Sequence, residues 1–312
     1  MKIGIDLGGT TMSAGIVDEK NRIIDKNQID TNSSDSPEKV ILRMANLVNG
    51  LISKSDEKNI THIGIGCPGM LDRQNGIVLY SNNIGWDNIR LVESMKKYFD
   101  IPVYLENDAN CAAIGEYIAG AGKEYSSMVM VTLGTGIGGG IIVNDRLYRG
   151  NNGNSSILGH ILMVKDGELC TCGRKGCWEA YGSVSALIRM ANKKADDCPE
   201  SELQAQRESS GRLDGKKIFD AIHNGDKAAN QVFEKYTSYI AQGITDIVNI
   251  LDPEGIVIGG GISKQGEFIL EPVRRIVLEN RYCKSMESPI ITTSGLGNNA
   301  GIIGAACLDE FV

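Results

Sequence analysis

Three glycine clusters, two aspartates and a run of cysteines carry most of the chemistry available to this chain. The clusters are Asp6-Leu7-Gly8-Gly9-Thr10-Thr11, Gly134-Thr135-Gly136-Ile137-Gly138-Gly139-Gly140 and Gly259-Gly260-Gly261, each following a short apolar run. Glycine lets backbone N–H groups approach phosphate oxygens with no Cβ in the way, and threonine hydroxyls add donors. None of the three has the lysine-bearing phosphate-loop pattern. None has the dinucleotide spacing that opens a helix either, because the first two lead straight into another strand. One such turn alone reads equally well as a tight hairpin; the recurrence points to a phosphate-bearing ligand. Asp6, at the end of a buried strand, needs a partner or a cation, and a Mg²⁺ shared with phosphates would supply one.

Asp108 stands in Leu105-Glu106-Asn107-Asp108-Ala109-Asn110, where a strand gives way to a helix. A helix N-terminus favours the ionised carboxylate, so Asp108 is expected to be charged at neutral pH. It could then take a proton from a sugar hydroxyl as that oxygen attacks a phosphoryl group. The alternative is that Asp108 is a helix N-cap, a role Asp and Asn fill often. Cys170, Cys172 and Cys177, with His160 upstream, supply three thiolates and one imidazole. That set suits a tetrahedral Zn²⁺ with no open position, hence a structural ion. Gly173 and Gly176 allow the chain to fold tightly around it. His62 and His223 lie outside any cluster and receive no role.

These residues must be positioned by strands and helices, and the apolar pattern predicts them. Strands are expected at Lys2–Asp6, Met12–Asp18, Asn21–Gln28, Ile63–Cys67 with a loop to Gly69, Val103–Leu105, Met128–Leu133, Gly138–Asn144 and Gly255–Ile258. Helices are expected over 37–53, where Val40, Ile41, Met44, Leu47, Val48 and Leu51 keep helical spacing, and over 109–119. Strand, glycine turn and strand occur near residue 1 and again near residue 128, which reads as an internal duplication with a cleft between two related lobes. Residues 193–215 are polar and are expected to be a mobile surface segment. Alternating strands and helices indicate an α/β protein.

Composition narrows the function classes. The 312 residues include 32 Lys+Arg and 39 Asp+Glu, a formal charge of −7, with 42% apolar residues. That balance, without a basic block, disfavours nucleic acid and anionic membranes as partners. No run approaches the ~18 apolar residues of a membrane span. With no secretory signal evident, the eight cysteines are expected to be reduced thiols in the cytoplasm.

Taken together, these segments resemble the ROK family, sugar kinases and sugar-responsive repressors of the actin and hexokinase-like superfamily. The resemblance rests on Ile5–Thr10, Glu106–Asn110, Leu133–Gly140, Cys170–Glu179 and Asp252–Gly261, in family order along nearly the whole chain. It implies two α/β lobes of RNase H-like topology, with MgATP and a hexose in the cleft between them. The lobes would comprise residues 1–117 with 298–312, and 118–297 with the zinc loop; the last apolar helix, Ala300–Leu308, would return to the first lobe. Asp6, Gly8, Gly9, Thr10, Thr11, Gly134, Thr135 and Gly136 would hold the phosphates and their Mg²⁺, with Gly259, Gly260 and Gly261 beside the adenosine. Asp108 matches the general base for the sugar 6-hydroxyl and Asn107 a sugar ligand. Gly69 and Asn82 match positions lining the sugar pocket. His160 matches a histidine that binds zinc and faces the sugar, and Glu179 a glutamate that accepts hydrogen bonds from the anomeric side.

One position departs from the pattern. The family's Gly-Glu-Ile/Leu-Gly-His is here Ser156-Ile157-Leu158-Gly159-His160, so Ile157 replaces a glutamate that contacts the sugar. A sugar hydroxyl left unpaired there would cost ~1–3 kcal/mol. The resemblance therefore implies an ATP-dependent hexose kinase, with glucose the first substrate expected and N-acetylmannosamine or another hexose the alternative. A sugar-sensing regulator is disfavoured, since family repressors carry an N-terminal helix-turn-helix domain and here the first strand begins at residue 2. A non-catalytic sugar-binding protein would not need the intact Asp6, Asp108 and glycine turns. Family members commonly form dimers or tetramers, so a homodimer or homotetramer is expected.

Overall fold

Apolar strands bounded by glycine and asparagine turns build two five-stranded sheets of one plan. The computed structural model describes residues 1–54 and 59–311. The first half contains β1 (Lys2–Leu7), β2 (Thr11–Val17), β3 (Ile23–Asp30), α1 (Pro37–Lys54), β4 (Ile63–Cys67), β5 (Met70–Asp72), β6 (Ile77–Ser81), β7 (Trp86–Ile89), α2 (Leu91–Met95), β8 (Val103–Asn107) and α3 (Asp108–Ala119). The second contains β9 (Met128–Leu133), β10 (Ile137–Val143), β11 (Arg146–Leu147), α4 (Glu179–Gly182), α5 (Val184–Asp197), α6 (Glu202–Ser210), α7 (Gly215–His223), α8 (Lys227–Leu251), β12 (Gly255–Gly259), α9 (Glu267–Asn280), β13 (Ile290–Thr293) and α10 (Ala300–Ala306).

The sheets run β3-β2-β1-β4-β8 and β11-β10-β9-β12-β13. In each, an antiparallel hairpin around a glycine turn is extended by two parallel strands. The duplication expected from two hairpins thus extends to whole sheets. The central strands β1, β4 and β12 are buried on both faces, as parallel strands covered by helices must be. The stripe on α1, from Val40 to Leu51, is buried against the first sheet, with Pro37 opening the helix. Helix α8 starts where Asp226 accepts the Ala229 N–H (2.7 Å) and stops at left-handed Asp252 before Pro253.

Helices α3 and α10 pack against each other, α3 lying on β10 and α10 on β1 and β4. Alpha-10 (Ala300–Ala306) touches backbone directly: a Cβ at Gly4 would overlap the Ile302 carbonyl, and one at Gly64 the Ala305 carbonyl. The C-terminal helix therefore does return to the first sheet.

The structure also corrects several expectations. Residues 193–215 are not a mobile surface segment: they complete α5, form α6 and reach α7, with Leu203 and Leu213 buried. Their polarity belongs to solvent faces of helices anchored by a few apolar residues. The third strand spans Ile23–Asp30, two residues later than the polar pattern suggests. The small sheet β5-β6-β7 went unpredicted because its strands have three to five residues. All eight cysteines are free thiols, and no described helix is long and apolar enough to cross a membrane.

Candidate active site

Parallel register brings the acidic residues together. Asp6 lies beside Gly66, Gly66 beside Glu106, and Cys67 beside Asn107, so β1, β4 and β8 end side by side. Ligands of α/β sheets bind outside such carboxyl ends. Asp6 is half-buried at the end of β1, where α10 approaches so closely that a Cβ on Gly301 would sit 2.9 Å from its carboxyl carbon. Burial, reinforced by the charge of Asp108, pushes the Asp6 carboxyl up to about 7. Two carboxylates sharing a desolvated cleft in this way favour a cation between them and a phosphate.

Asp108 is the first residue of α3. The capping role belongs to Asn107, whose Oδ1 accepts the N–H groups of Ala109 (3.0 Å) and Asn110 (3.3 Å). Asp108 is therefore not the cap, and its side chain accepts the Ala109 N–H (2.9 Å). Burial raises its carboxyl above the usual range, while the N–H groups of the helix start pull it down. The helix N-terminus thus only partly offsets desolvation. Asn107 also reaches the first sheet's loop, its Nδ2 donating to the Gly69 carbonyl at 3.5 Å. Gly69 has φ +112°, at a place where a side chain would overlap the Tyr80 carbonyl. Asn82 is exposed in the turn between β6 and β7, and Tyr80 Oη lies 3.5 Å from its Oδ1.

The glycine turns sit at the corresponding ends of both sheets. Gly8 N–H donates to the Thr11 carbonyl (2.9 Å), and Gly134 N–H to that of Gly136 (3.0 Å). The N–H groups of Gly9, Thr10 and Thr135 have no protein acceptor among the described residues, leaving donors for an anion. Thr11 opens β2, and Thr10 and Thr135 are exposed. Thr132 pairs with Gly259, so the β9–β10 turn and Gly259-Gly260-Gly261 are neighbours. A Cβ on Gly134 or Gly261 would meet no protein atom within 4 Å, as expected of turns facing a ligand. Gly136 differs: a Cβ there would overlap Glu179 Oε2.

That contact reveals an arrangement absent from the sequence pattern. Glu179 Oε2 accepts the Ile137 N–H (3.0 Å), and its Oε1 accepts the Thr171 hydroxyl (2.9 Å) and lies 3.5 Å from Cys170 Sγ. One carboxylate joins the second glycine turn to the cysteine loop. His160, Cys170, Cys172 and Cys177 bring their ligand atoms within 4.8 Å of one another. Cys172 and Cys177 sulfurs are 3.6 Å apart, as are Cys170 Sγ and His160 Nδ1. A tetrahedral zinc with bonds near 2.3 Å spaces its ligands by about 3.8 Å, so the donors fit such an ion in both kind and distance. Ile157, just before the turn Leu158–His160, is 52% exposed.

Sequence reasoning missed Glu106 beside the Asn107–Asp108 corner, Arg73 and Arg149, which pair with it, and Asn154, which binds Leu71 on the small sheet. Glu106 was visible only as an acid in an apolar strand, which is itself a signal of a paired charge.

The whole chain has relatives. The model of the ROK family matches residues 2–310. A glucokinase of Streptomyces coelicolor is 36% identical over 99% of this chain and 97% of its own length. A glucokinase of Thermotoga maritima is 36% identical over 98% of this chain and 96% of its own. Among solved structures, a ROK family glucokinase from Streptomyces griseus in complex with glucose and AMPPNP superposes with a TM-score of 0.87. It is 35% identical and covers 98% of each chain.

Proposed function

The chain belongs to the ROK family, and on that premise we propose that it is an ATP-dependent sugar kinase of glucokinase type. It transfers the γ-phosphoryl group of ATP to the 6-hydroxyl of glucose. The observation that carries this reading is Asp108, free of a capping role, just past the carboxyl end of β8 and close enough to Asp6 for its charge to raise the Asp6 carboxyl. The relatives named as glucokinases, and the one bound to glucose and AMPPNP, support the choice of substrates.

Asp108 takes the proton of the 6-hydroxyl as that oxygen attacks phosphorus, and Asn107 holds a neighbouring sugar hydroxyl while capping the helix that carries Asp108. The free N–H groups of Gly9, Thr10 and Thr135 meet the phosphate oxygens and stabilise the charge that develops on them. Thr11 and Gly8 shape the first turn, Gly134 and Gly136 the second, and Gly259–Gly261 the adenosine side. The substrate MgATP brings a divalent ion for which Asp6 is the protein partner. Gly69, Asn82, His160 and Glu179 complete the sugar pocket.

His160, Cys170, Cys172 and Cys177 would hold a structural zinc; four protein ligands leave it no open position, so it supplies rigidity to the loop and not a reacting group. The two lobes divide as residues 1–117 with 298–312, and 118–297. On the same reading the molecule works in the cytoplasm as a homodimer or homotetramer, with small molecules and not nucleic acid as its ligands.

Exposed Ile157 favours a second reading in which the acceptor is N-acetylmannosamine or another hexose, since no carboxylate meets a hydroxyl there. A panel of hexoses with MgATP, followed by coupled ADP release, tests both. Turnover of glucose supports the first reading, and turnover of another hexose in its place supports the second. No sugar-dependent ADP release would defeat both.

A further inference from the structure

Glu106 is 1% exposed, yet it carries a carboxylate immediately before the Asn107–Asp108 corner. Its Oε1 accepts the Asn107 N–H (2.9 Å) and Asn110 Nδ2 (3.0 Å). Its Oε2 takes Arg149 Nε at 2.8 Å and Arg73 Nη1 at 3.4 Å. Arg73 lies in the turn joining β5 to β6 of the small sheet, whose next turn carries Asn82; Arg149 follows β11 and begins the segment that ends in His160. Asn154, on that same segment, binds the small sheet a second time. Its Oδ1 accepts the Leu71 N–H (2.9 Å) and its Nδ2 donates to the Leu71 carbonyl (3.3 Å).

We propose that Arg149 is a positioning residue for sugar phosphorylation, acting through the buried Glu106 carboxylate to hold Asn107 and Asp108 in register with the small sheet and the His160 segment. The inference rests on the kinase reading above. A carboxylate this deeply buried is tolerated only while paired, and loss of one partner leaves a charge that drives local rearrangement. The rearranging groups here are the backbone N–H of Asn107 and the side chain of Asn110, on either side of Asp108. Among the described residues, Gly8–Thr10 and Gly134–Gly136 share no hydrogen bond or ion pair with Glu106, Arg73 or Arg149, so nucleotide binding is not expected to depend on the tie.

The test compares Arg149→Met, Arg149→Lys, Glu106→Gln and the double variant Arg149→Met/Glu106→Gln with the wild type. The readouts are glucose turnover, the two KM values, and glucose binding measured calorimetrically without nucleotide. Arg149→Met should weaken glucose binding and lower kcat by about tenfold each, with KM for MgATP within about twofold. Arg149→Lys should recover most of the loss. The double variant should bind glucose more tightly than Arg149→Met alone, because a buried carboxylate left with only the longer Arg73 contact is replaced by a neutral amide. If Arg149→Met does not fold, the neutral but polar Arg149→Gln decides: a raised glucose KM at unchanged MgATP KM supports the proposal, and wild-type kinetics overturn it. Wild-type glucose binding and kcat in a folded Arg149→Met protein overturn it too, as does strict additivity in the double variant. Absence of turnover in the wild type would defeat the kinase reading instead, while the glucose-binding comparison would still report on the tie.

Discussion

Asp6 near the end of β1 and Asp108 just past the end of β8 stand on either side of β4, and Asp6 is held near pKa 7 by burial first and by the Asp108 charge second. A carboxyl raised in this way keeps its proton in the folded chain over a range where the unfolded chain has lost it. Between pH ~4 and ~7 the folded state therefore binds more protons, and its stability falls as pH rises through that window. The ligand-free protein should lose thermal stability over this range by more than an Asp6→Asn variant does. MgATP binding near pH 6.5 should release a proton, seen as a calorimetric enthalpy that varies with the ionisation enthalpy of the buffer. A buffer-independent enthalpy would remove Asp6 from the metal–phosphate site.

Asp108→Asn keeps the shape of the helix start and removes the proton acceptor. Turnover should drop by about a hundredfold to ten-thousandfold, while glucose binding stays close to wild type. Because burial raises the Asp108 carboxyl, the acid limb of kcat/KM should lie above the pH at which an ordinary aspartate titrates. Near-normal turnover in Asp108→Asn would end the assignment.

Zinc should be present at one equivalent per chain and survive dialysis. Cys172→Ser removes the exposed member of the cluster. It should release the ion and lower Tm by about 5–10 °C. Sugar KM should rise with it if, as proposed, His160 serves both the ion and the sugar. A folded, metal-free wild-type preparation with full activity would refute the zinc assignment.

Ile157→Glu restores an acceptor at a half-exposed position beside the His160 turn. Gaining a hydrogen bond worth ~1–3 kcal/mol should tighten glucose binding by about fivefold to a hundredfold. Unchanged glucose affinity would mean that position 157 does not face the sugar.

Much of the site is set by chemistry within a few residues, and for that reason it could be read directly from the chain. Glycines after apolar runs mark turns wherever they occur. Asp108 follows a strand and opens a helix by local propensity, and closely spaced cysteines with small residues between them can fold around an ion without distant help. Even the duplication was visible, because strand–turn–strand is a local pattern; only assembly showed it to extend over both sheets.

What the chain alone did not disclose depends on segments brought together from afar. Glu106 and Arg149 are 43 positions apart, Asp6 meets Gly301 near the opposite terminus, and Glu179 reaches back to Ile137. Whether Asp108 is charged, and whether a polar stretch such as 193–215 is mobile or helical, follow from what covers them. Desolvation and charge pairing are set by all the neighbours in space, whereas propensity and turn chemistry act between neighbours in sequence. The linear order of residues therefore determined which groups were available, and tertiary packing decided their ionisation, their partners and their alignment.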